Sequence, residues 1–487
     1  MPRLWDHIWQ TPDDYRIVTA LFLKGLAIVY AIAFASLAVQ VQGLAGSDGM
    51  FPIADQLAGA EAQLGWSRFL RVPSVFWLAD GDWALSAAAW AGVALSVPLL
   101  LGRYRQASLI GLFVLYLSLQ QAGTIFLHFQ WDYLILEAGF LAIFLANGGS
   151  RLVIWMMRWL LFRLRFLSGI SKIISGDPSW IGLTALTAYF ETQPLPHIGA
   201  WYAHQLPQWM LQGGTLATLV IEIAVPFLFL APRRWRMVGA GLTILMQVLI
   251  IATSNHNFIN LLTILLCLFL FDDQALRAVL PRWSLASARQ KVGGLHKMVF
   301  GPLAALIILV SLLQSTSMVT GWRPGGWVQA LVMQVESFRI ANLYHVFPTM
   351  KMERLEVVIE WSMDGETWQP LELAHRPGDP ARAPGFVMPH QPRLDWLIWF
   401  VPPQDPVFMI FYRRFMEKLL EGSPSVLALL PDDSFKDGPP QFLRASLWQY
   451  RFTDPATRAR TGDWWTLEWR APFPPWPYMQ NTHQPHT

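Results

Sequence analysis

The residues of this chain that could do chemistry are charges set among apolar side chains. Arg151, Arg158, Arg165 and Lys172 recur at every seventh position through "RLVIWMMRWLLFRLRFLSGISKIISGDPSW". On a helix that spacing keeps them on one side, drifting only about 20° per heptad. Three carboxylates have equally apolar surroundings: Asp132 and Glu137 in "FQWDYLILEAGF", and Glu222 in "LVIEIAVPF". Charges at membrane depth are expensive and are held by one another or by a wet cavity, so ion pairing between the two sets is one reading. The other is proton abstraction, because a desolvated lysine loses its proton more readily and can then act as a base. His204 in "WYAHQLP" and His128 in "FLHFQWD" stand in motif context nearby. A lone histidine of this kind is more often a structural hydrogen-bonding residue than a ligand.

No other constellation offers a second chemistry. The sequence has no GxSxG, HExxH, P-loop or GxGxxG pattern. Its single cysteine, Cys267, lies in "LLTILLCLFLF" and reads as inert packing. One thiol excludes an internal disulfide, a CxxC relay and a zinc–cysteine cluster. No cofactor and no metal are expected.

Composition decides what scaffold positions these charges. Of 487 residues, 54% are hydrophobic and only 14% charged, and the mean hydropathy is +0.34. Soluble domains carry about 25% charged residues, so the chain reads as an integral membrane protein with the lipid bilayer as its first partner. Runs long enough for about 30 Å of hydrocarbon lie near 17–40, 84–101, 107–127, 131–148, 214–231, 237–253, 257–271 and 298–318, with the charged run 152–175 between them. The first is too long for a signal-peptide core and contains Lys24, so it reads as a retained helix. The net charge of +3 shows no groove-like basic patch, and nucleic acid is not expected as a partner.

Short basic loops mark the cytoplasmic side: "RYR" at 103–105, "RRWR" at 233–236, then Arg277, Arg282, Arg289, Lys291 and Lys297. Helices 107–127 and 131–148 return the chain to that side near Arg151. The run 214–231 must also end there, at "RRWR", so 152–175 has to carry the chain across. Its 24 residues reach about 36 Å at about 1.5 Å per residue. The alternative is a basic amphipathic helix lying in the interface. The expected architecture is therefore an α-helical multi-pass bundle of about nine crossings over residues 1–319. The N-terminus lies inside, and an ordered outer-side loop covers about 176–213.

After "QSTSMVTGW" the long apolar runs stop, and Trp, Arg, Asp and Pro recur. In "LEVVIEWSMDGETWQPLEL", Leu355, Val357 and Ile359 alternate with Glu356, Val358 and Glu360, and Asp364-Gly365 turns the chain. "RASLWQYRF" and "WWTLEWR" read as further strands. "DPVFMIFYRRFMEKLLEG" reads as an amphipathic helix with a glycine stop. Residues 320–487 are expected to form a mostly β, Trp-rich extracytoplasmic domain with a helix near 406–421.

Four stretches, "HFQWDYLILEAGFLAIFLA", "SGDPSWIGLTALTAYFETQPLPHIGAWYAHQLP", "IEIAVPFL" and "HQPRLDWLIWF", resemble the lipase maturation factor family. The residues carrying the likeness are Trp131, Asp132, Glu137, Arg165, Gly169, Gly176, Asp177, Pro178, Trp180, Glu191, Trp201, Glu222, Gln391, Pro392, Arg393, Asp395 and Trp396. The resemblance implies a membrane-embedded folding factor for exported lipases, chaperone-like and not an enzyme. In eukaryotes such proteins sit in the endoplasmic reticulum membrane with the C-terminal domain in the lumen. A compact tail and one cysteine suggest a bacterial member in the cytoplasmic membrane, with the tail outside and an exported lipase as client.

More distantly, "RFLSGISKIISGDPSW" is similar to the membrane domain of vitamin K-dependent γ-carboxylase, where the lysine matched by Lys172 deprotonates the quinol. That likeness implies a membrane enzyme acting on a lipid or quinone, with Lys172 and His204 as candidates. A third possibility is a glycan- or protein-binding receptor built on the β domain. A sizeable cavity joining Lys172 to His204 would favour the enzyme, and a filled interior the folding factor.

Overall fold

In hydrocarbon, backbone N–H and C=O groups find partners only within their own helix, and each long apolar run is helical. The computed structural model describes residues 7–146, 148–279, 293–431, 434–435, 438–475 and 477–481. The bundle comprises α1 (Arg16–Ala38), α2 (Asp82–Leu100), α3 (Arg105–Ala122), α4 (Gln130–Leu145), α5 (Arg151–Ile174), α6 (Gln208–Ile223), α7 (Arg233–Thr253), α8 (Ile259–Cys267) and α9 (Gly294–Thr320). Among the described residues, five helical stretches are long and apolar enough to cross a membrane: Asp13–Ala38, Asp82–Leu100, Gln208–Leu230, Arg233–Thr253 and Gly294–Thr320.

The first helix is started by a residue far along the chain. The Asp273 carboxylate accepts the backbone N–H groups of Arg16, Ile17 and Val18 at 2.9, 2.9 and 3.1 Å. These are the orphan donors of a helix N-terminus, where the macrodipole also favours a negative charge. The same level of the bundle holds the Arg233–Asp272 pair, the bond from Arg236 to the Leu270 carbonyl, and the bond from the Arg151 N–H to the Gln10 carbonyl. At the opposite level, Gln40, Lys172, Asn257 and Gln314 bond to residues of the tail. Arg282, Arg289 and Lys291 lie outside the described residues.

α5 does not lie on a surface. It packs against α4, α6, α8 and α9, and its Arg158, Arg163, Arg165 and Lys172 are all buried. An interfacial helix would keep that face wet.

The tail forms an antiparallel sheet of β1 (Arg354–Ser362), β2 (Gln369–Pro370), β3 (Phe442–Phe452), β4 (Trp465–Phe473) and β5 (Met479–Gln480). The strand order is β2-β1-β3-β4, with β5 also on β3. β1 faces β3 with Val357 opposite Leu447 and Ile359 opposite Ala445. The turn after β1 is set by Asp364, whose Oδ1 accepts the Glu366 and Thr367 N–H groups at 2.8 and 2.7 Å, and by Gly365 at φ 78°.

Two expectations for the tail are corrected. It is not mostly β: α10 (Gly326–Ser337), α11 (Arg393–Ile398), α12 (Pro406–Glu421) and long ordered loops hold more residues than the strands. β1 also does not alternate apolar-in, polar-out, since Glu356 is buried between Arg354 and Arg376. Burial would raise this carboxyl, but the two guanidiniums hold it below the usual range. α12 ends at Gly422, at φ 70°, as a left-handed glycine stop does.

Candidate functional site

Two of the cations of α5 share one carboxylate, and a third is held apart from them. Arg158 bonds to the Tyr15 hydroxyl and, at 2.9 Å, to the Phe269 carbonyl. Arg165 reaches Glu222 Oε1 at 2.8 Å, and Lys172 reaches Glu222 Oε2 at 2.7 Å. Lys172 also donates to the carbonyls of Ser168 at 3.1 Å and Val346 at 2.6 Å, and sits 5.0 Å from the Trp180 ring. Of the three carboxylates open to Lys172, the structure thus brings Glu222 to it, and not Asp132 or Glu137.

The approach of α6 that makes this possible depends on Gly169. A Cβ there would stand 2.8 Å from Glu222 Cβ and 2.9 Å from its carbonyl carbon. Gly176, at φ 72°, turns the chain out of α5. Asp177 then caps the short helix Pro178–Ile181 by accepting the Ser179 N–H at 2.8 Å, with Pro178 at its first position. That helix holds Trp180 against the lysine.

Glu137 is satisfied by a residue off the heptad stripe. Arg163 pairs with its Oε1, while Oε2 accepts from the Asn342 N–H and Nδ2 at 3.1 Å each and from the Tyr344 hydroxyl at 2.9 Å. Asp132 takes a two-pronged bond from Arg393 of the tail, at 2.7 and 2.8 Å, and a third from the Tyr116 hydroxyl at 2.7 Å.

The motif around Arg393 is sewn into the bundle at every step. Ser36 Oγ accepts the Gln391 N–H, Gln40 accepts the Arg393 N–H, and Asn257 donates to Gln391 Oε1. Pro392 precedes α11. Asp395 accepts the His375 N–H at 2.9 Å, and Trp396 packs edge-on against Trp131 with ring centres 5.0 Å apart. Two motifs some 260 residues apart in sequence therefore form one buried contact.

The outer loop meets the sheet. Arg354 donates to the carbonyls of Glu191, Gln193 and Pro194 at 2.9, 2.5 and 3.1 Å. The Glu191 carboxylate accepts the Phe452 N–H at 2.6 Å, and Arg458 lies over the rings of Trp464 and Trp201. His204 belongs to this group, 3.8 Å from Glu191. Burial lowers the His204 imidazole and raises the Glu191 carboxyl, so the contact is no strong ion pair. His128 is also held neutral, pushed down to about 4 by burial.

Lys172 and His204 do not converge. The cavity at Lys172 measures about 90 Å³ and is lined by Arg165, Glu222, Tyr189, Gln247, His256 and Asn260 among others, without His204. Sites for drug-sized organic ligands run to about 300–1,000 Å³. Residues that the sequence did not single out, namely Arg163, Arg354, Tyr116, Asn342 and Tyr344, complete the buried network. Among the described residues no group of His, Cys, Asp and Glu is arranged to hold a metal ion.

Helices of membrane-crossing length, buried ion pairs between them, and a sheet-bearing tail locked to one end define a multi-pass integral membrane protein with a C-terminal β-sheet region. Which such protein follows from its relatives. The chain belongs to the lipase maturation factor family: residues 17–278 match the lipase maturation factor transmembrane domain, and residues 340–475 the lipase maturation factor C-terminal domain. It is 33% identical to lipase maturation factor 2 of Rattus norvegicus, over 94% of this chain and 83% of that protein. It is 34% identical to lipase maturation factor 2 of Gallus gallus, over 91% and 79%, and 30% identical to lipase maturation factor 1 of Mus musculus, over 93% and 86%. No solved structure matches the chain. These relatives lend no support to the carboxylase-like or receptor readings, nor to a bacterial setting.

Proposed function

We propose that this chain is a membrane-embedded maturation factor for lipases, which helps an exported client reach its active fold without itself catalysing a reaction on it. The observation that carries the reading is that similarity to proteins named lipase maturation factors runs through both the helical region and the tail. The small cavity at Lys172 and the absence of His204 from its lining speak for structural charges over a base acting on a quinone-sized substrate. The residues of the shared motifs are assigned here to positioning: Asp132, Arg393 and their neighbours fix the tail on the bundle, and the tail presents its face to the client.

We also infer nine crossings with the tail on the extracytoplasmic side, whether that is a periplasm or the lumen of the endoplasmic reticulum. Helix ends that alternate between two levels, and basic loops gathered at one of them, support this. The α8 segment, Ile259–Leu270, is the shortest of these crossings. Removing the protein is expected to lower the specific activity of a secreted lipase at unchanged transcript level, and removing residues 322–487 to do the same. Unchanged specific activity across the exported lipases would refute the reading. In a bacterial host, alkaline phosphatase fused at Ser434 should be active and green fluorescent protein there dark; the opposite pair would overturn the topology.

A further inference from the structure

The cavity between α5, α6, α7 and α8 has a charge imbalance. Its ionised lining residues are Arg165, Lys172 and Glu222, all buried, so two cations face one carboxylate. Lys172 Nζ lies 2.7 Å from Glu222 Oε2 as its ion-pair partner and donates to the Ser168 and Val346 carbonyls at 3.1 and 2.6 Å, surroundings that suit the ammonium form. Arginine does not lose its proton in proteins. A net positive charge buried in a membrane bundle is costly unless a counter-charge joins it.

Polar groups are also left over for such a partner. Among the described residues, Arg165 Nε, Trp180 Nε1, Gln247 Nε2 and Asn260 Oδ1 are buried and make no hydrogen bond, and Glu222 Oε2 has only its ion-pair contact with Lys172. All five residues line the cavity. The Gln247 and Asn260 amides bond to each other at 2.9 Å, which leaves one donor and one acceptor of that pair unused. The volume of about 90 Å³ has room for a small ion and a water or two, since one water needs only about 10–15 Å³ of such space.

We propose that this cavity binds one small monovalent anion, of the size of chloride or formate, which neutralises the Arg165–Lys172–Glu222 cluster and accepts from Arg165 Nε and Gln247 Nε2. One negative charge makes the cluster two against two. A divalent or bulky anion overshoots the charge or exceeds the space. The water that completes the site takes the remaining acceptor on Asn260.

The test uses the purified full chain in detergent, with chloride replaced by gluconate at constant ionic strength. Chloride and formate should each raise the melting temperature saturably, and gluconate should not. Lys172→Met leaves Arg165 balanced by Glu222, and the chloride response should vanish. Gln247→Leu removes a donor to the ion and should raise the half-saturating chloride concentration about tenfold or more, the equivalent of one hydrogen bond to a charge. Equal melting in chloride and gluconate would overturn the proposal, as would the same chloride response in Lys172→Met as in the wild type. If Lys172→Met cannot be purified, an unshifted chloride titration in Gln247→Leu is equally fatal.

Discussion

Replacing Asp132 with leucine would leave the Arg393 guanidinium buried without its counter-ion. The two side chains are 0% and 2% exposed and share two bonds of 2.7 and 2.8 Å, so water cannot take over from either partner. Breaking a buried pair from one side costs about 3–5 kcal/mol, a large share of the roughly 5–15 kcal/mol that holds a typical folded domain. Arg393→Met should cost a similar amount, because it strands the carboxylate. Arg393→Lys should recover little, since an ammonium cannot reproduce the planar two-pronged contact. With Asp132→Leu and Arg393→Met combined, both charges are gone. What remains is an unfilled Phe126 carbonyl and a Tyr116 hydroxyl seeking a new acceptor. The loss in the double variant should therefore be smaller than the sum of the single losses by roughly 3 kcal/mol or more. The assay is denaturant or thermal unfolding in detergent, read together with protease sensitivity of the tail, which the single variants should expose. Single losses that add to within about 0.5 kcal/mol would refute the claim that this pair joins tail to bundle.

At the second cluster the order of damage is the informative result. Glu222→Gln strands two cations and should lower melting temperature and protein yield more than Lys172→Met, which leaves Arg165 on Glu222; Lys172→Arg, which keeps the charge, should stay close to wild type. The reverse order, or a stable Lys172→Arg protein that no longer supports lipase maturation, would contradict the structural role. Gly169→Ala would press a methyl against the α6 backbone at 2.9 Å and should cost about 1–3 kcal/mol of unfolding free energy, whereas a neutral result would mean that α6 moves freely. Acid should loosen the tail. Burial, with His375 and Arg393 nearby, pushes His390 down to about 4, and burial with His197 does the same to His256. Their folded values lie below the usual 6.5, so the unfolded chain binds more protons between pH 6.5 and 4, and stability falls as pH drops through that window. His390→Asn, which can still meet Ser36 Oγ but cannot charge, should flatten part of that loss in a melting-temperature series, and an unchanged slope would discard the assignment.

Much of the fold is local in origin, and that part was legible. The glycine stop after Glu421, the Asp364-Gly365 turn and the apolar runs each act through neighbours a few residues away. The heptad of cations located α5 correctly in the interior but could not pair it, because each partner is set by tertiary packing. Arg163 carries no periodic signal, yet it holds Glu137 with the help of a loop some 180 residues downstream. Glu356 looked like the wet side of an amphipathic strand, and the approach of Arg376 from another loop, together with Arg354 on its own strand, makes its burial tolerable. The motif "HQPRLDW" announced itself as unusual without saying that its arginine belonged to Asp132. α10 was missed since its polar and apolar residues follow a segment whose composition had already changed.

The Asp273 carboxylate at the start of α1 has a consequence for biogenesis. The first helix of the bundle leaves the ribosome with its leading amides unsatisfied, and the group that satisfies them is made 256 residues after Ile17. At about 5–20 residues per second the interval is roughly 10–50 s. Throughout it, α1 has to be held in place by the insertion machinery or by lipid headgroups before its own chain supplies the cap. A nascent chain arrested just short of Asp273 should thus present a frayed N-terminal turn, open to proteases, and one arrested well beyond it should not.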